Sequence, residues 1–176
     1  MLFEANPLHQ QELLASGFEH YVTVLCRPGV SEVAFYSKSD DVGSTGGSIY
    51  KEKTPQYQSV QAVCLPASPL LDIVRKHSLP PPDFVKMDVQ GAEIDVIAGG
   101  REIIAKASYV LAELPVIEYN SGAPTLGEYL GMFGQLGFLP IAVSEIHRYR
   151  TLVCQLDFLF MSRRLVDERA LAGLQI

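Results

Sequence analysis

Three short apolar runs each end on an acid. Leu2-Phe3 leads into Glu4, "FVKM" at 84–87 into Asp88, and "YVLA" at 109–112 into Glu113. In an open α/β sheet ligands bind beyond the carboxyl ends of the strands. Acids on three such tips, all directed to one edge, are therefore candidates for a shared site. A carboxylate at the second strand of a nucleotide-binding unit can accept two hydrogen bonds from ribose hydroxyls, which gives Glu4 a definite use. Asp88 could accept from an ammonium group or a substrate hydroxyl. Gly91 permits a tight turn directly after it, and Glu93 falls in the first turn of the next helix, where the helix dipole favours negative charge.

Removing a proton from a hydroxyl of high pKa needs a base. Asp88 and Glu113 are candidates, and so is His147 if the "EIHRYR" segment folds over the site. Tyr119 and Asn120 follow the third strand and could touch an acceptor; an ordinary surface turn is the competing reading. Asp88 and Glu113 supply only two oxygen ligands for a divalent metal, so no metal is expected.

The elements that must hold these residues follow from pattern. Asn6 caps and Pro7 opens a helix running to Gly17. "YVTVLC" at 21–26 and "EVAFY" at 32–36 read as strands. The polar stretch 37–58, with "GSTGGS" at 43–48, reads as a mobile loop, either a connector or a lid. Residues 59–64 alternate like a half-buried strand. Ser68-Pro69 starts a helix through Lys76, stopped by "SLPPPD". A strand at 84–88 precedes a helix from Ala92 to Ala107, which Gly99-Gly100 must break or kink. Tyr109 to Glu113 is a strand. Thr125 to Leu136 is an amphipathic helix ended by Gly137. Strands at 138–143 and 156–162 close the pattern, separated by the polar segment around "SEIHRYR". Strands alternating with helices predict an α/β fold with a mostly parallel sheet, the closing pair adding an antiparallel strand. One domain spans 1–176, with 164–176 as a C-terminal tail.

The chain has 176 residues, 48% of them apolar and 19% charged, as in globular domains. A net charge of −6 and a pI near 5.2 argue against nucleic acid or an anionic membrane as partner. The N-terminal "MLFEANP" lacks the positive charge of a signal peptide, and no apolar run is long enough to span a bilayer. Cys26, Cys64 and Cys154 show no metal spacing and read as reduced thiols, so a cytoplasmic location is expected.

"FVKMDVQGAEIDVIAGG" at 84–100 resembles the signature of the FkbM-type S-adenosylmethionine-dependent methyltransferases: Lys-x-Asp, a hydrophobic residue, Gln or Glu, then Gly-Ala-Glu. Here it is Lys86, Asp88, Gln90, Gly91, Ala92 and Glu93, with Gly99 beyond. "LFEANP" is similar to the family's Phe-Glu-Pro-Asn-Pro, with Ala5 replacing the first proline. "GGSIY" and "VLAELPVIEY" are similar to its long loop and its fifth strand. The resemblance covers roughly residues 2–163. It implies a class I, Rossmann-like methyltransferase fold and methyl transfer from S-adenosylmethionine to a hydroxyl of a sugar or secondary metabolite. Carried over by motif, Glu4 holds the cofactor ribose with Asn6 beside it. Asp88 lies near the methionine portion and the acceptor, and Glu93 and Glu113 line or support the site.

One departure stands out. Such enzymes begin with a strand and a GxGxG-like loop, and no GxGxG occurs here. By this resemblance the chain is expected to start at the family's second strand, without the first strand and its helix. Strands "LFE" and "FVKMD" are then expected to pair directly, to leave open edges, or to take a strand from a partner. Close re-pairing or a homo-oligomer follows. The missing loop keeps a second reading open, a non-catalytic interaction module on a methyltransferase fold. A nicotinamide-dependent oxidoreductase is a third, weakened by the same absence.

Overall fold

The computed structural model describes residues 1–38 and 46–166. The chain enters as strand β1 (Leu2–Glu4), a 3-10 turn at Pro7–His9 and helix α1 (Gln10–Ser16). The Asn6 side chain accepts from the Leu8 amide at 3.1 Å, and Gly17, at φ 71°, closes the helix in the left-handed region. Next come β2 (His20–Val22), β3 (Val24–Leu25), β4 (Glu32–Phe35), β5 (Val63–Ser68), α2 (Leu70–His77), β6 (Phe84–Met87), α3 (Glu93–Ile104) and β7 (Tyr109–Pro115). Helix α4 (Leu126–Gln135) and the hairpin β8 (Phe138–Tyr149) and β9 (Leu152–Ser162) complete the described chain. Thr125 and Glu128 form a reciprocal capping box at α4.

The fold is mixed α/β, with helices and strands alternating. The sheet is less uniform than the pattern predicts. β1 pairs with β2, β3 with β5, and β6 with β7, all parallel; β4–β5, β7–β9 and β9–β8 are antiparallel. Three separate sheets result among the described residues, in the orders β1-β2, β3-β5-β4 and β6-β7-β9-β8. Among the described residues β1 pairs only with β2, and β6 only with β7. "LFE" and "FVKMD" therefore do not pair directly, and within the single chain each keeps a free edge among the described residues.

Other departures are local. "YVTVLC" is divided at Thr23, whose amide donates to the Glu4 carbonyl and so extends β1's register. The strand expected at 59–64 lies at Val63–Ser68, where Pro66 sits opposite Glu32. "SEIHRYR" belongs to β8 and joins β9 through a turn at Arg150, φ 56°. It is exposed on both faces, so it lacks the apolar alternation by which strands are recognised in sequence. Residues 39–45 of the polar loop and 167–176 of the tail lie outside the described residues.

The main core lies under β6-β7-β9-β8. Val110, Ala112 and Leu114 alternate inward from β7 and meet α4 through Tyr129 and Phe133. Phe133 stacks on Phe160 at 4.2 Å between ring centroids and meets Phe138 edge-on at 6.5 Å. Helix α3 crosses behind. A Cβ at Gly99 would fall 1.9 Å from the Cys26 carbonyl, and one at Gly100 2.6 Å from a Leu70 methyl. The glycine pair thus lets α3 lie against β3 and α2. The expected kink appears only at Gly100, at φ −132°.

Candidate active site

Glu4 and Asp88 open into one cavity of about 430 Å³. Its walls come from the end of β1 and start of α1 (Glu4, Asn6), from β3 (Val24, Leu25), from Ser48, and from Asp88, Val89 and Ala92. Convergence of the first two strand tips, read from sequence, is what the structure displays. Glu4 accepts the Asn6 backbone amide at 2.7 Å, which fixes its carboxylate toward the cavity rim. Asn6 is 4% exposed; its Oδ1 is held by Leu8, and its Nδ2 has no partner among the described residues. A buried amide donor left unmade costs about 1–3 kcal/mol, so one lining a cavity marks a place for an acceptor atom.

The Asp88 turn is held from several directions. Gln90 at φ 51° and Gly91 at φ 100° are both left-handed. A Cβ at Gly91 would also press within 3.2 Å of Ala123. The Gln90 carbonyl accepts from Ser48 Oγ (2.8 Å) and Asn120 Nδ2 (2.7 Å), and the Gly91 carbonyl from the Tyr129 hydroxyl (2.7 Å). Asn120, 2% exposed, therefore braces the turn instead of reaching outward. Glu93 stands behind the cavity wall, not in it. It is fully buried, and its Oε1 accepts from the Val89 and Gly91 amides at 3.4 Å, leaving Oε2 unpartnered. Burial pushes its carboxyl up to about 7 against the pull of those amides. From there it receives two amides of the turn and holds it from behind.

From 46 onward the polar loop is tied to the same region. Besides Ser48, Tyr50 donates to Asp95 at 2.9 Å, and the Lys53 amide donates to the Tyr119 carbonyl at 2.7 Å. Asp95, buried at the start of α3, also receives Arg27. Burial, then the bond to Asp95, pushes the Tyr50 hydroxyl up to about 12.

Glu113, expected at a strand tip, lies inside β7, which runs on to Pro115 in register with β9, and it joins Asp88 through one side chain. Gln90 Nε2 donates to Asp88 Oδ1 (2.9 Å) and to Glu113 Oε1 (2.8 Å), while its Oε1 accepts from the Tyr119 hydroxyl (3.2 Å). Gln155 also donates to Glu113 Oε1 and to the Tyr119 oxygen. Glu113 Oε2 lies 3.5 Å from His147 Nε2, which is 3.0 Å from Asp157 Oδ1. Burial, followed by the charge of Asp88, raises the Glu113 carboxyl. For His147, burial opposes protonation, but the Asp157 bond and the charges of Glu113, Asp157 and Glu145 outweigh it and raise its pKa.

The three candidate bases thus form one chain of contacts, Asp88–Gln90–Glu113–His147. The profile of the FkbM methyltransferase domain matches residues 2–159. The chain belongs to the FkbM methyltransferase family. No curated protein and no solved structure matches it significantly.

An FkbM methyltransferase domain implies a methyl donor such as S-adenosylmethionine, and the residues around the cavity suit one. Glu4 offers an acceptor and Asn6 a vacant donor on one wall, and the volume falls within the usual range for small-molecule pockets, about 300–1,000 Å³. Sequence reasoning missed Gln155 and Asp157, and it placed Ser48 only as part of "GGSIY". Asp157 carried a signal, an acid inside the apolar run "LDFLFMS". Gln155 carried none, because it works through partners distant in sequence. No helix among the described residues is long and apolar enough to cross a membrane.

Proposed function

We propose that this FkbM methyltransferase binds S-adenosylmethionine between Glu4 and Asp88 and methylates a hydroxyl oxygen of a small sugar or secondary-metabolite acceptor. The observation that carries the reading is the unpartnered, buried Asn6 Nδ2 beside the Glu4 carboxylate in a cavity that Asp88 also lines. Glu4 accepts from ribose hydroxyls, and Asn6 donates to a neighbouring acceptor atom. The bound cofactor supplies an electrophilic methyl group on a sulfonium. Asp88, 38% exposed and held by Lys86 at 3.3 Å and by Gln90, accepts the hydrogen bond of the incoming hydroxyl and then its proton. Glu113 and His147 face the acceptor side. Alignment of hydroxyl and methyl supplies much of the rate, and the braced 88–92 turn provides it.

The test is transfer of labelled methyl from S-adenosylmethionine to a panel of hydroxylated sugars and polyketides. Asp88→Asn is expected to lower turnover about 10²-fold or more while cofactor affinity changes little. Equal turnover in the variant rejects Asp88 as proton acceptor. The open edges of β1 and β6, with Leu2 39% and Phe84 53% exposed, favour self-association into a homo-oligomer. They also favour the second reading, an interaction module without cofactor binding, which predicts no labelled product with any acceptor.

A further inference from the structure

We propose that Glu113, His147 and Asp157 form a binding site for one divalent first-row metal ion such as Mn²⁺. Sequence spacing pairs Glu113 with Asp88 and stops at two oxygens; the folded hairpin brings a nitrogen and a further carboxylate instead. Glu113 and Asp157 sit directly opposite each other on β7 and β9, and Glu145 sits opposite Asp157 on β8. His147, two residues on, projects from the same face. The β8–β9 register shifts on both sides of this stretch, after Val143 and after His147, and such bulges re-aim side chains.

The two distances from His147 match the needs of an ion. Metal–ligand bonds of about 2.0–2.2 Å place neighbouring ligands about 3.0 Å apart at right angles and about 3.4 Å apart in a tetrahedron. His147 Nε2 is 3.0 Å from Asp157 Oδ1 and 3.5 Å from Glu113 Oε2, and all three atoms lie within 4.8 Å of one another. The ion would take the place of the proton shared between ring and carboxylates.

The surroundings are those of an oriented ligand set. Glu113 presents Oε2 to the cluster because Gln90 and Gln155 both occupy Oε1, the outer-shell support that ligating carboxylates usually have. Charge points the same way. Like charges directly opposite on adjacent strands repel, yet Glu113, Asp157 and Glu145 form one row across three strands. The nearby Lys86 is engaged by Asp88. The carboxylates of Glu113 and Asp157 are 12% and 11% exposed and the ring is 33% exposed, so the site opens to solvent past His147. One nitrogen and two oxygens suit Mn²⁺ or Zn²⁺ better than Ca²⁺, and three protein ligands leave a position for water or an acceptor oxygen. Its use on the acceptor rests on the methyl-transfer reading; the ion's binding does not. A hydroxyl on the ion would be more acidic, which would ease transfer of its proton to a nearby carboxylate.

Mn²⁺ titration of the full chain, followed by the loss of the free-ion electron paramagnetic resonance signal, tests the site without any turnover. One equivalent is expected to bind. Losing a metal's supporting partners alone costs about 10–100-fold, so Asp157→Asn and His147→Gln are each expected to weaken Mn²⁺ at least about tenfold. Both variants should keep the circular dichroism spectrum and bind S-adenosylhomocysteine as the parent does. His147 is partly exposed and near the surface, so His147→Gln stands as the test should Asp157→Asn not fold. Mn²⁺ that stays free, or affinity unchanged in His147→Gln, overturns the site. Failure of cofactor binding with Mn²⁺ binding intact would reject the methyl-transfer reading and leave the metal site standing.

Discussion

Glu93→Gln should make the protein more stable at alkaline pH, although it replaces the glutamate of the family motif. The carboxyl is fully buried, one oxygen has no partner, and the two amides that reach the other are 3.4 Å away. Desolvation therefore outweighs the bonds, and the folded-state pKa rises from 4.5 to about 7. The unfolded chain ionises Glu93 near 4.5, so the folded state binds the extra proton. Stability from this group is whole below pH 4.5, falls as pH rises toward 7, and stays low above it. At about 1.4 kcal/mol per pH unit the loss is about 3 kcal/mol, a sizeable fraction of the 5–15 kcal/mol typical of a domain. Glutamine keeps the oxygen that receives the Val89 and Gly91 amides and cannot ionise. Urea unfolding of both proteins from pH 4.5 to pH 8.5 gives the difference free of other titrating groups. It should be close to zero at pH 4.5 and about 3 kcal/mol in favour of Glu93→Gln at pH 8.5. A difference that does not change with pH, or a parent more stable than the variant at pH 8.5, would show that the amides and not burial control this carboxyl.

Gly91→Ala should destabilise by about 1–3 kcal/mol, because the residue sits at φ 100° and its Cβ would meet Ala123 at 3.2 Å; denaturant midpoints measure it. Tyr50→Phe removes a single bond to Asp95, which keeps Arg27, so about 1 kcal/mol is expected in the same assay. Glu4→Ala removes the side chain proposed to accept two cofactor hydroxyls, at about 1.5–3 kcal/mol per bond, and should weaken S-adenosylhomocysteine by about 10²-fold or more with no loss of Mn²⁺ binding. Phe84→Ser should shift a homo-oligomer toward monomer in sedimentation, since Phe84 lies on the β6 edge and is 53% exposed.

The strand tips were legible because each is a short apolar run broken by an acid, and local pattern carries that information. Glu4 and Asp88 then line one cavity although β1 and β6 belong to separate sheets. The helices α1, α2 and α4 were legible from Asn6-Pro7, Ser68-Pro69 and Thr125 as starts. What local pattern could not carry was pairing. The β8–β9 hairpin is exposed through "SEIHRYR", so its polar residues mimic a loop, and the partnership of His147 with Asp157 appears only once the strands are in register. Gln90 read as part of a motif, but its bridge between Asp88 and Glu113 depends on a left-handed φ that sequence alone does not announce. Glu93 read as a site residue because the motif contains it; burial, which is a tertiary property, places it behind the turn.

Calorimetric titration of S-adenosylhomocysteine into the parent and into Asn6→Ala probes the Glu4–Asp88 cavity most directly. Saturable micromolar binding by the parent, weakened several-fold or more in Asn6→Ala, is the expected result. No heat from the parent at millimolar ligand, or equal affinity in the two proteins, would contradict it.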